Sequence, residues 1–283
     1  MHFFTVKNFD NHEKWVNKAI IAKHINGYEY KEFTYYEDIG SMEVLELFIN
    51  MYEKQLKLLQ QVHAHPNIIG FYGVTKDNNG QYNMILEYAE EGNLHEYLET
   101  NFTKLQWTDK FRIAYEISCG LAFEKYFNSL RTNQNSSRSK VLNEMSTSSN
   151  RLGMLAYIEP DRFMTEDFKL NKKSDIYSLG IILWEISSGR PPLQFFDQTQ
   201  LCLHVFKEKR EPPIEGTPSQ YVELYKECWD GDPTNCPERS FIRRQLEKLK
   251  NESSNKIIEM KAPPSNNKKQ TFKRTFVKQF HLL

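Results

Sequence analysis

Few residues in this 283-residue chain have the types and spacing that phosphate or metal chemistry requires. Residues 33–36 are aromatic or β-branched and predict a strand, and Gly40 follows where a phosphate-binding loop could begin. A single glycine does not give several backbone N–H groups close access to phosphate oxygens. The chain has four cysteines: Cys119, Cys202, Cys228 and Cys236. Their spacing fits neither a disulfide framework nor a Cys/His metal site, which favours reduced thiols.

Carboxylates that could hold Mg²⁺ are also scarce in the polar middle of the chain. Residues 124–156 contain no aspartate, and their acidic side chains are Glu124, near a predicted helix end, and Glu144. The segment is rich in Ser and Asn, which predicts a flexible loop. A carboxylate in such a loop is not held at the near-octahedral geometry that Mg²⁺ demands. We therefore predict no metal site.

The composition is that of a globular protein without a charge bias. Hydrophobic residues make up 39% of the chain, enough for a sizeable core. The 37 basic residues balance the 37 acidic ones, so no overall attraction to nucleic acid is predicted. Residues 1–15 lack the basic and apolar regions of a leader, and no run of about 18 apolar residues occurs. We therefore expect a cytoplasmic protein.

The strongest element in the sequence lies between Leu170 and Pro192. Its apolar residues recur at helical spacing and continue nearly all round, which predicts a helix at the centre of a core. Ser174 is predicted as its N-cap, with Asp175 in the first turn. Gly189, followed by two prolines, predicts its end.

Three ordered motifs carry a resemblance to a known family. Residues 174–186, SDIYSLGIILWEI, resemble the central C-lobe helix of protein kinases, in particular of the tyrosine-kinase-like group. Residues 157–161, YIEPD, are similar to the Ala-Pro-Glu segment that closes the activation loop, and residues 228–237, CWDGDPTNCP, resemble Cys-Trp-x-x-x-Pro-x-x-Arg-Pro. The motif positions that this resemblance assigns are Gln55, Pro160, Asp161, Asp175, Trp184 and Trp229.

The resemblance implies an α+β, protein-kinase-like two-lobed fold with a helical C-lobe and a depleted N-lobe sheet. The predicted divisions are an amino-terminal brace or extension at 1–31, a kinase-like domain at 32–250 and a basic, disordered tail at 251–283. Within the domain we place the N-lobe at 32–86, the hinge at 87–92 and the C-lobe at 93–250.

The N-lobe departs from the family pattern. Residues 55–69 resemble the regulatory helix and the turn after it, with Gln55 where the family has glutamate. About fifteen residues separate Gly40 from this helix, too few for two further strands. We predict that these strands are missing, together with the lysine that holds the nucleotide phosphates. Residues 69–74 and 82–86 predict an antiparallel pair, so about three strands are expected.

A nucleotide site is implied by the resemblance alone. In the family, the positions of Leu86, Glu87 and Ala89 lie at the adenine pocket, and Gly40 is what remains of the loop over the phosphates. The missing strands would have supplied the apolar roof of that pocket. ATP and Mg²⁺ are thus family properties, and we expect no cofactor for this sequence.

The resemblance fails at the catalytic centre. A helix is predicted to begin at Trp107, with Thr108 as its cap, and to end near Phe123. The family continues into His-Arg-Asp and then Asp-Phe-Gly, and neither motif occurs between Phe123 and Tyr157.

A buried ion pair of the family is also broken. Cys236 replaces the arginine that pairs with the family glutamate, whose position here is Asp161. A carboxylate that stays buried without a partner is costly, so Asp161 must be solvated, protonated or paired elsewhere. The basic residues considered as partners are Arg162, Lys169 and Arg239.

Three hypotheses follow for function. The first is a pseudokinase, an interaction or scaffold module for other signalling proteins. The second is an active Ser/Thr or Tyr protein kinase whose sequence here lacks two segments, near residues 38–56 and 123–157. The third is an adaptor recruited through residues 268–283, where Phe272, Phe276 and Phe280 alternate with basic residues in a pattern that binds a partner or a membrane surface.

Overall fold

The computed structural model describes residues 3–5, 13–32, 36–38, 65–68, 70–78, 80, 82–87, 91–122, 156–160, 172–192, 210–232 and 234–259. The described residues up to Asn93 belong to one compact unit and those from Leu94 onward to a second. Within these ranges no helix is long and apolar enough to cross a bilayer.

The first unit contains a five-stranded sheet of order β2-β4-β5-β1-β3. Its strands are β1 (Phe3–Thr5), β2 (Gly27–Glu29), β3 (Tyr36–Asp38), β4 (Phe71–Lys76) and β5 (Tyr82–Glu87). Strand β5 pairs antiparallel with both β4 and β1, whereas β2 pairs parallel with β4 and β3 pairs parallel with β1.

Strands β4 and β5 form the antiparallel hairpin that the sequence predicted, and this hairpin lies inside the sheet between β2 and β1. The turn between the strands is closed by a hydrogen bond from the Gly80 N–H to the Asp77 carbonyl, at 3.0 Å. Gly80 has a φ of 84°, a left-handed conformation that glycine adopts without the steric cost of a Cβ.

The segment predicted as a brace supplies two of the five strands, so the expectation of about three strands was too low. Strand β1, helix α1 (Glu13–Ile21) and β2 follow one another and bracket the hairpin, with β1 beside β5 and β2 beside β4. We call residues 3–29 the amino-terminal clamp. Helix α1 buries Val16 and Ala19, and the Tyr82 hydroxyl donates to Asn17 Oδ1 at 2.6 Å.

The β2 end of the clamp depends on one close backbone approach. The Asn26 carbonyl accepts from the Val74 N–H at 2.9 Å, and the Asn26 amide donates to the Tyr72 carbonyl at 3.1 Å. A Cβ at Gly73 would overlap the Asn26 carbonyl oxygen. Glycine at position 73 therefore allows β2 to reach β4.

The second unit is helical. Its helices are α2 (Leu94–Asn101), α3 (Trp107–Ala122), α4 (Lys172–Ser188), α5 (Ser219–Cys228) and α6 (Arg239–Glu259). Every residue of α4 from Ser174 to Ser187 is buried, which confirms the predicted central helix. Its end is also as predicted, because the Gly189 N–H donates to the Glu185 carbonyl at 2.8 Å and Gly189 has a φ of 73°.

Two predicted caps are wrong. Helix α4 begins at Lys172, so Ser174 lies inside its first turn, and its carbonyl accepts from the Ser178 hydroxyl at 3.1 Å. Helix α3 begins at Trp107, one residue before the predicted cap Thr108. The hydrogen-bonding pattern of a cap belongs to Gln106, whose N–H donates to Asp109 Oδ2 at 3.1 Å.

The predicted boundary of the disordered tail is wrong at its start, since α6 continues to Glu259 and residues 251–259 are helical. Residues 55–64, which resemble the regulatory helix, and the tail beyond residue 259 lie outside the described residues. Helices α4 and α5 pack closely at Gly180, where an added Cβ would lie 2.8 Å from the Cys228 Cβ and 3.1 Å from the Tyr225 carbonyl oxygen.

Candidate functional site

The end of β5 holds the described part of the predicted nucleotide site. The Glu87 N–H donates to the Gly70 carbonyl at 2.8 Å, and Glu87 Oε2 accepts from the Gly70 N–H at 3.2 Å. On the opposite edge, β1 pairs with the same residues, Phe3 opposite Glu87 and Phe4 opposite Leu86. Neighbouring strands of the chain thus occupy both edges of β5 at Leu86 and Glu87.

The sheet offers little positive charge for phosphate groups. Across the five described strands, Lys76 is the one lysine. It is the last residue of β4, its side chain is exposed, and its ammonium lies 5.3 Å from the centre of the Tyr82 ring. In the described part of the second unit, Lys110 is the one buried lysine. Its ammonium lies 3.7 Å from the Phe102 ring centre, and burial lowers its pKa.

Four of the residues assigned from sequence lie outside the described part of the chain: Gly40, Gln55, Ala89 and Asp161. Leu86, Glu87, Pro160, Asp175, Trp184 and Trp229 lie within it, with Leu86 described by its backbone. Leu86 and Glu87 belong to the first unit, and the other four belong to the second.

A buried aspartate in the first turn of α4 forms an ion pair with an arginine. Asp175 is buried, and its Oδ2 accepts from Arg239 Nη2 of α6 at 2.5 Å. Arg239 Nη1 also donates to the Leu121 carbonyl, in the last turn of α3, at 3.4 Å. One guanidinium therefore joins three helices. Arg239 was one of the basic residues expected from the sequence as partners of Asp161. In the structure, Arg239 pairs with Asp175.

A second polar cluster lies further along α4. Glu185 is fully buried, and its Oε2 accepts from the Tyr157 hydroxyl at 2.8 Å. Glu185 Oε1 lies 3.7 Å from Nδ1 of His95, on α2. The Tyr157 carbonyl accepts from the Ser178 hydroxyl at 2.8 Å. These contacts fix residues 156–160, which include the buried Pro160, against the central helix.

The two tryptophans act as architectural residues. Trp184 is fully buried, and its indole N–H donates to the Pro212 carbonyl at 3.0 Å. Trp229 packs edge-on against Tyr225, with ring centres 5.0 Å apart, and its carbonyl accepts from Arg210 Nε at 3.1 Å. Each tryptophan ties an irregular segment to the helical core.

Cys236, where the family has an arginine, is a buried thiol. Its Sγ lies 3.7 Å from the Cys228 carbonyl oxygen, and its own carbonyl accepts from Lys173 Nζ at 2.5 Å. Burial raises the pKa of the Cys236 thiol to about 11 and that of Cys228 well above its usual value. Within the described ranges Cys119, Cys228 and Cys236 are free thiols, and no group of three residues could hold a metal ion.

The motifs on this scaffold agree with comparisons to known proteins. A family model described as protein tyrosine and serine/threonine kinase matches residues 46–129 and 137–246, well over half of the chain. The chain belongs to this kinase family. Its fold is accordingly the α+β kinase-like fold that the motif order predicted.

Curated relatives include kinases of several kinds. The chain is 28% identical over 211 residues to mitogen-activated protein kinase kinase kinase 7 of Drosophila melanogaster, covering 67% of this chain and 30% of the relative. It is 26% identical over 215 residues to serine/threonine/tyrosine-protein kinase HT1 of Arabidopsis thaliana, covering 70% and 54%. It is 24% identical over 229 residues to the human cytoplasmic tyrosine-protein kinase BMX, covering 75% of this chain and 33% of the relative. The chain thus spans about a third to a half of these relatives.

Proposed function

We propose that this chain is a pseudokinase, a kinase-fold module that binds other signalling proteins in the cytoplasm without transferring phosphate. The observation that carries the proposal is that neither His-Arg-Asp nor Asp-Phe-Gly occurs between Phe123 and Tyr157. In the family these motifs supply the aspartate that orients the nucleophile and the aspartate that holds the metal ions.

The supply of charge supports the same proposal. Phosphoryl transfer depends on metal ions and fixed cations that meet the charge on the γ-phosphoryl oxygens, and on a residue that orients the nucleophile. Residues 124–156 contain no aspartate that could hold those metal ions. The glycine-rich loop and the phosphate-binding lysine are missing from the sequence as well. Phosphoryl transfer is catalysed by positioning and by electrostatic stabilisation. The sequence lacks the family residues that supply both.

Two buried acidic residues, Asp175 and Glu185, make contacts that hold the helical unit together. Asp175 connects three helices through Arg239, and Glu185 holds Tyr157 against the central helix. Such contacts make a rigid helical unit whose exposed surface can bind a partner. The partner itself is expected to be another signalling protein, by analogy with the family.

The test is incubation of the purified chain with radiolabelled ATP, beside a Glu144→Ala variant. We expect no incorporation above background in either sample. Incorporation that disappears in Glu144→Ala would overturn the proposal. Apart from Glu124, near the predicted helix end, Glu144 is the one acidic residue in the sequence of residues 124–156. Equal incorporation in both samples would identify a contaminating kinase.

Nucleotide binding provides a second measurement. A ligand stabilises the fold by RT ln(1 + [L]/Kd), so weak binding leaves the melting temperature unchanged. We expect no shift in millimolar Mg-ATP. A rise of several degrees that a bulky substitution at Ala89 abolishes would contradict the proposal.

The second candidate is an active protein kinase of which two internal segments are absent from this sequence. The matched ranges favour it, because the family match ends at residue 129 and resumes at residue 137 with the motifs in order on both sides. A transcript that spans residues 38–56 and 123–157 distinguishes the candidates. Extra codons at both places would support the active kinase, and uninterrupted codons would support the pseudokinase.

A further inference from the structure

The second unit contains a buried lysine that is not neutralised by a carboxylate. Lys110 lies in the first turn of α3 and is 7% exposed. Lysines that are buried to this extent are normally paired with an acid. Within the part of the chain that the structure describes, the Lys110 ammonium contacts aromatic rings and makes neither a hydrogen bond nor an ion pair. The carboxylate of the neighbouring Asp109 accepts from the Gln106 N–H instead.

Two rings surround this ammonium, and its nitrogen still reaches solvent. Lys110 Nζ lies 3.7 Å from the centre of the Phe102 ring and 5.0 Å from the centre of the Trp107 ring, which are cation–π contacts. Nζ has no hydrogen-bond partner, yet it is not one of the fully buried unpaired atoms among the described residues. The methylene stem is therefore covered, while the nitrogen at its tip remains accessible to a reagent.

The surroundings of Lys110 favour the free amine, which is the nucleophilic form of a lysine. Burial lowers the pKa of Lys110, because desolvation penalises the ammonium. The positive end of the α3 dipole also disfavours a cation in the first turn. A lysine whose pKa is lowered in this way is a better nucleophile near neutral pH than an ordinary lysine.

The ring beside the ammonium also packs against the end of the central helix. A Cβ added at Gly189 would overlap the Cγ atom of Phe102. Gly189 ends α4, and its N–H donates to the Glu185 carbonyl at 2.8 Å. Loss of the charge on Lys110 would remove one of the contacts that hold the Phe102 ring in this position.

We propose that Lys110 is a site of acylation by an acyl thioester, and that acylation loosens the packing of Phe102 against the end of α4. The Lys110 nitrogen attacks the thioester carbonyl carbon. A C–N bond forms as the C–S bond breaks, and the amine proton leaves with the sulfur as a free thiol. The product is a neutral amide, which has lost the cation–π contact. Acylation of Lys110 does not depend on whether the chain transfers phosphate.

The first measurement is a competition between two lysines of the unmodified chain. The chain is incubated near neutral pH with a limiting amount of acetyl-coenzyme A, and acetylation of Lys110 and of the exposed Lys104 is quantified by peptide mass spectrometry. The same reaction in urea is the control, because both lysines are then exposed. We expect the ratio of acetylation at Lys110 to that at Lys104 to be higher in the folded chain by about threefold or more. An equal or smaller ratio in the folded chain would overturn the proposal, because burial would then protect the amine.

The second measurement follows the end of α4 by amide hydrogen exchange at Gly189. Lys110→Gln removes the charge as acetylation does, whereas Lys110→Arg keeps a cation that is not acylated. We expect exchange at Gly189 to be faster by about threefold or more in the Lys110→Gln chain and in the acetylated wild-type chain than in a Lys110→Arg chain treated in the same way. The Trp229 N–H, which donates to the Tyr225 carbonyl at 3.2 Å, should exchange equally in all of them.

Equal exchange at Gly189 in the acetylated wild-type and Lys110→Arg chains would overturn the second half of the proposal. If a Lys110 variant does not fold, the competition between lysines decides the question, because it uses the unmodified chain. Neither measurement contains ATP. A positive radiolabel assay would therefore overturn the pseudokinase proposal and leave the acylation standing, and protection of Lys110 in the folded chain would do the reverse.

Discussion

Arg239 donates to Asp175 across a separation of 64 residues, with Nη2 and Oδ2 2.5 Å apart and both side chains largely buried. The same guanidinium reaches the Leu121 carbonyl at the end of α3. Cys236, three residues earlier, stands where the family has its own ion-pairing arginine. The positive charge of Arg239, the first residue of α6, therefore stabilises the central helix α4.

The first prediction concerns this ion pair. Arg239→Met should lower the free energy of unfolding by about 3–5 kcal/mol, because it leaves the Asp175 carboxylate buried without its cation. The double variant Arg239→Met, Asp175→Asn should recover part of that loss. Urea denaturation measures both. Lys248→Met is the control, because its exposed pair with Glu252 should contribute about 0.5 kcal/mol or less.

The second prediction compares two neighbouring buried tyrosines of α5. The Tyr221 hydroxyl donates to the Leu183 carbonyl at 3.0 Å, whereas the buried Tyr225 hydroxyl has no hydrogen-bond partner in the part of the chain that the structure describes. Tyr221→Phe should cost about 1 kcal/mol. Tyr225→Phe should be neutral or stabilising by a similar amount, because it removes an unsatisfied polar group. A larger loss for Tyr225→Phe than for Tyr221→Phe, measured by urea denaturation, would reverse this interpretation.

The third prediction concerns the contact between α4 and α5. Gly180→Ala should destabilise the chain by about 1–3 kcal/mol, because overpacking against Cys228 outweighs the better helix propensity of alanine. Gly216→Ala tests the opposite case, since Gly216 has a φ of 80° and open space around it. The loss of stability in Gly216→Ala should come from backbone strain alone, because no atom lies within 4 Å of the added Cβ. Thermal melting of both variants measures the difference, and a stabilised Gly180→Ala would show that α5 moves aside.

The fourth prediction concerns alkaline stability. Burial raises the pKa of Tyr225 to about 12, above its usual value of 10. The unfolded chain therefore loses this proton near pH 10, while the folded chain keeps it until about pH 12. The resulting contribution to stability is fully present below pH 10 and is lost as pH rises toward 12. Urea denaturation at pH 9 and pH 11 should show a smaller loss for Tyr225→Phe than for the wild-type chain, and equal losses would contradict the raised pKa.

Local pattern accounts for the elements that the sequence predicted well. The burial of α4 from Ser174 to Ser187 follows from apolar residues on every face of one helix, and its end follows from Gly189. The hairpin of β4 and β5 follows from two strands joined by a short turn. The caps at Ser174 and Thr108 were mispredicted because a helix boundary depends on the competition of several nearby groups for the first free N–H groups.

The sequence by itself determined the kinase-like class and the central helix, because each is written in local spacing or in residue types. Tertiary structure alone decided that Arg239 neutralises Asp175 and that residues 3–5 and 27–29 flank the hairpin of β4 and β5. These pairings join residues far apart in the chain. Their choice depends on which groups the folded backbone brings within hydrogen-bonding distance, and no periodicity along the sequence encodes that proximity.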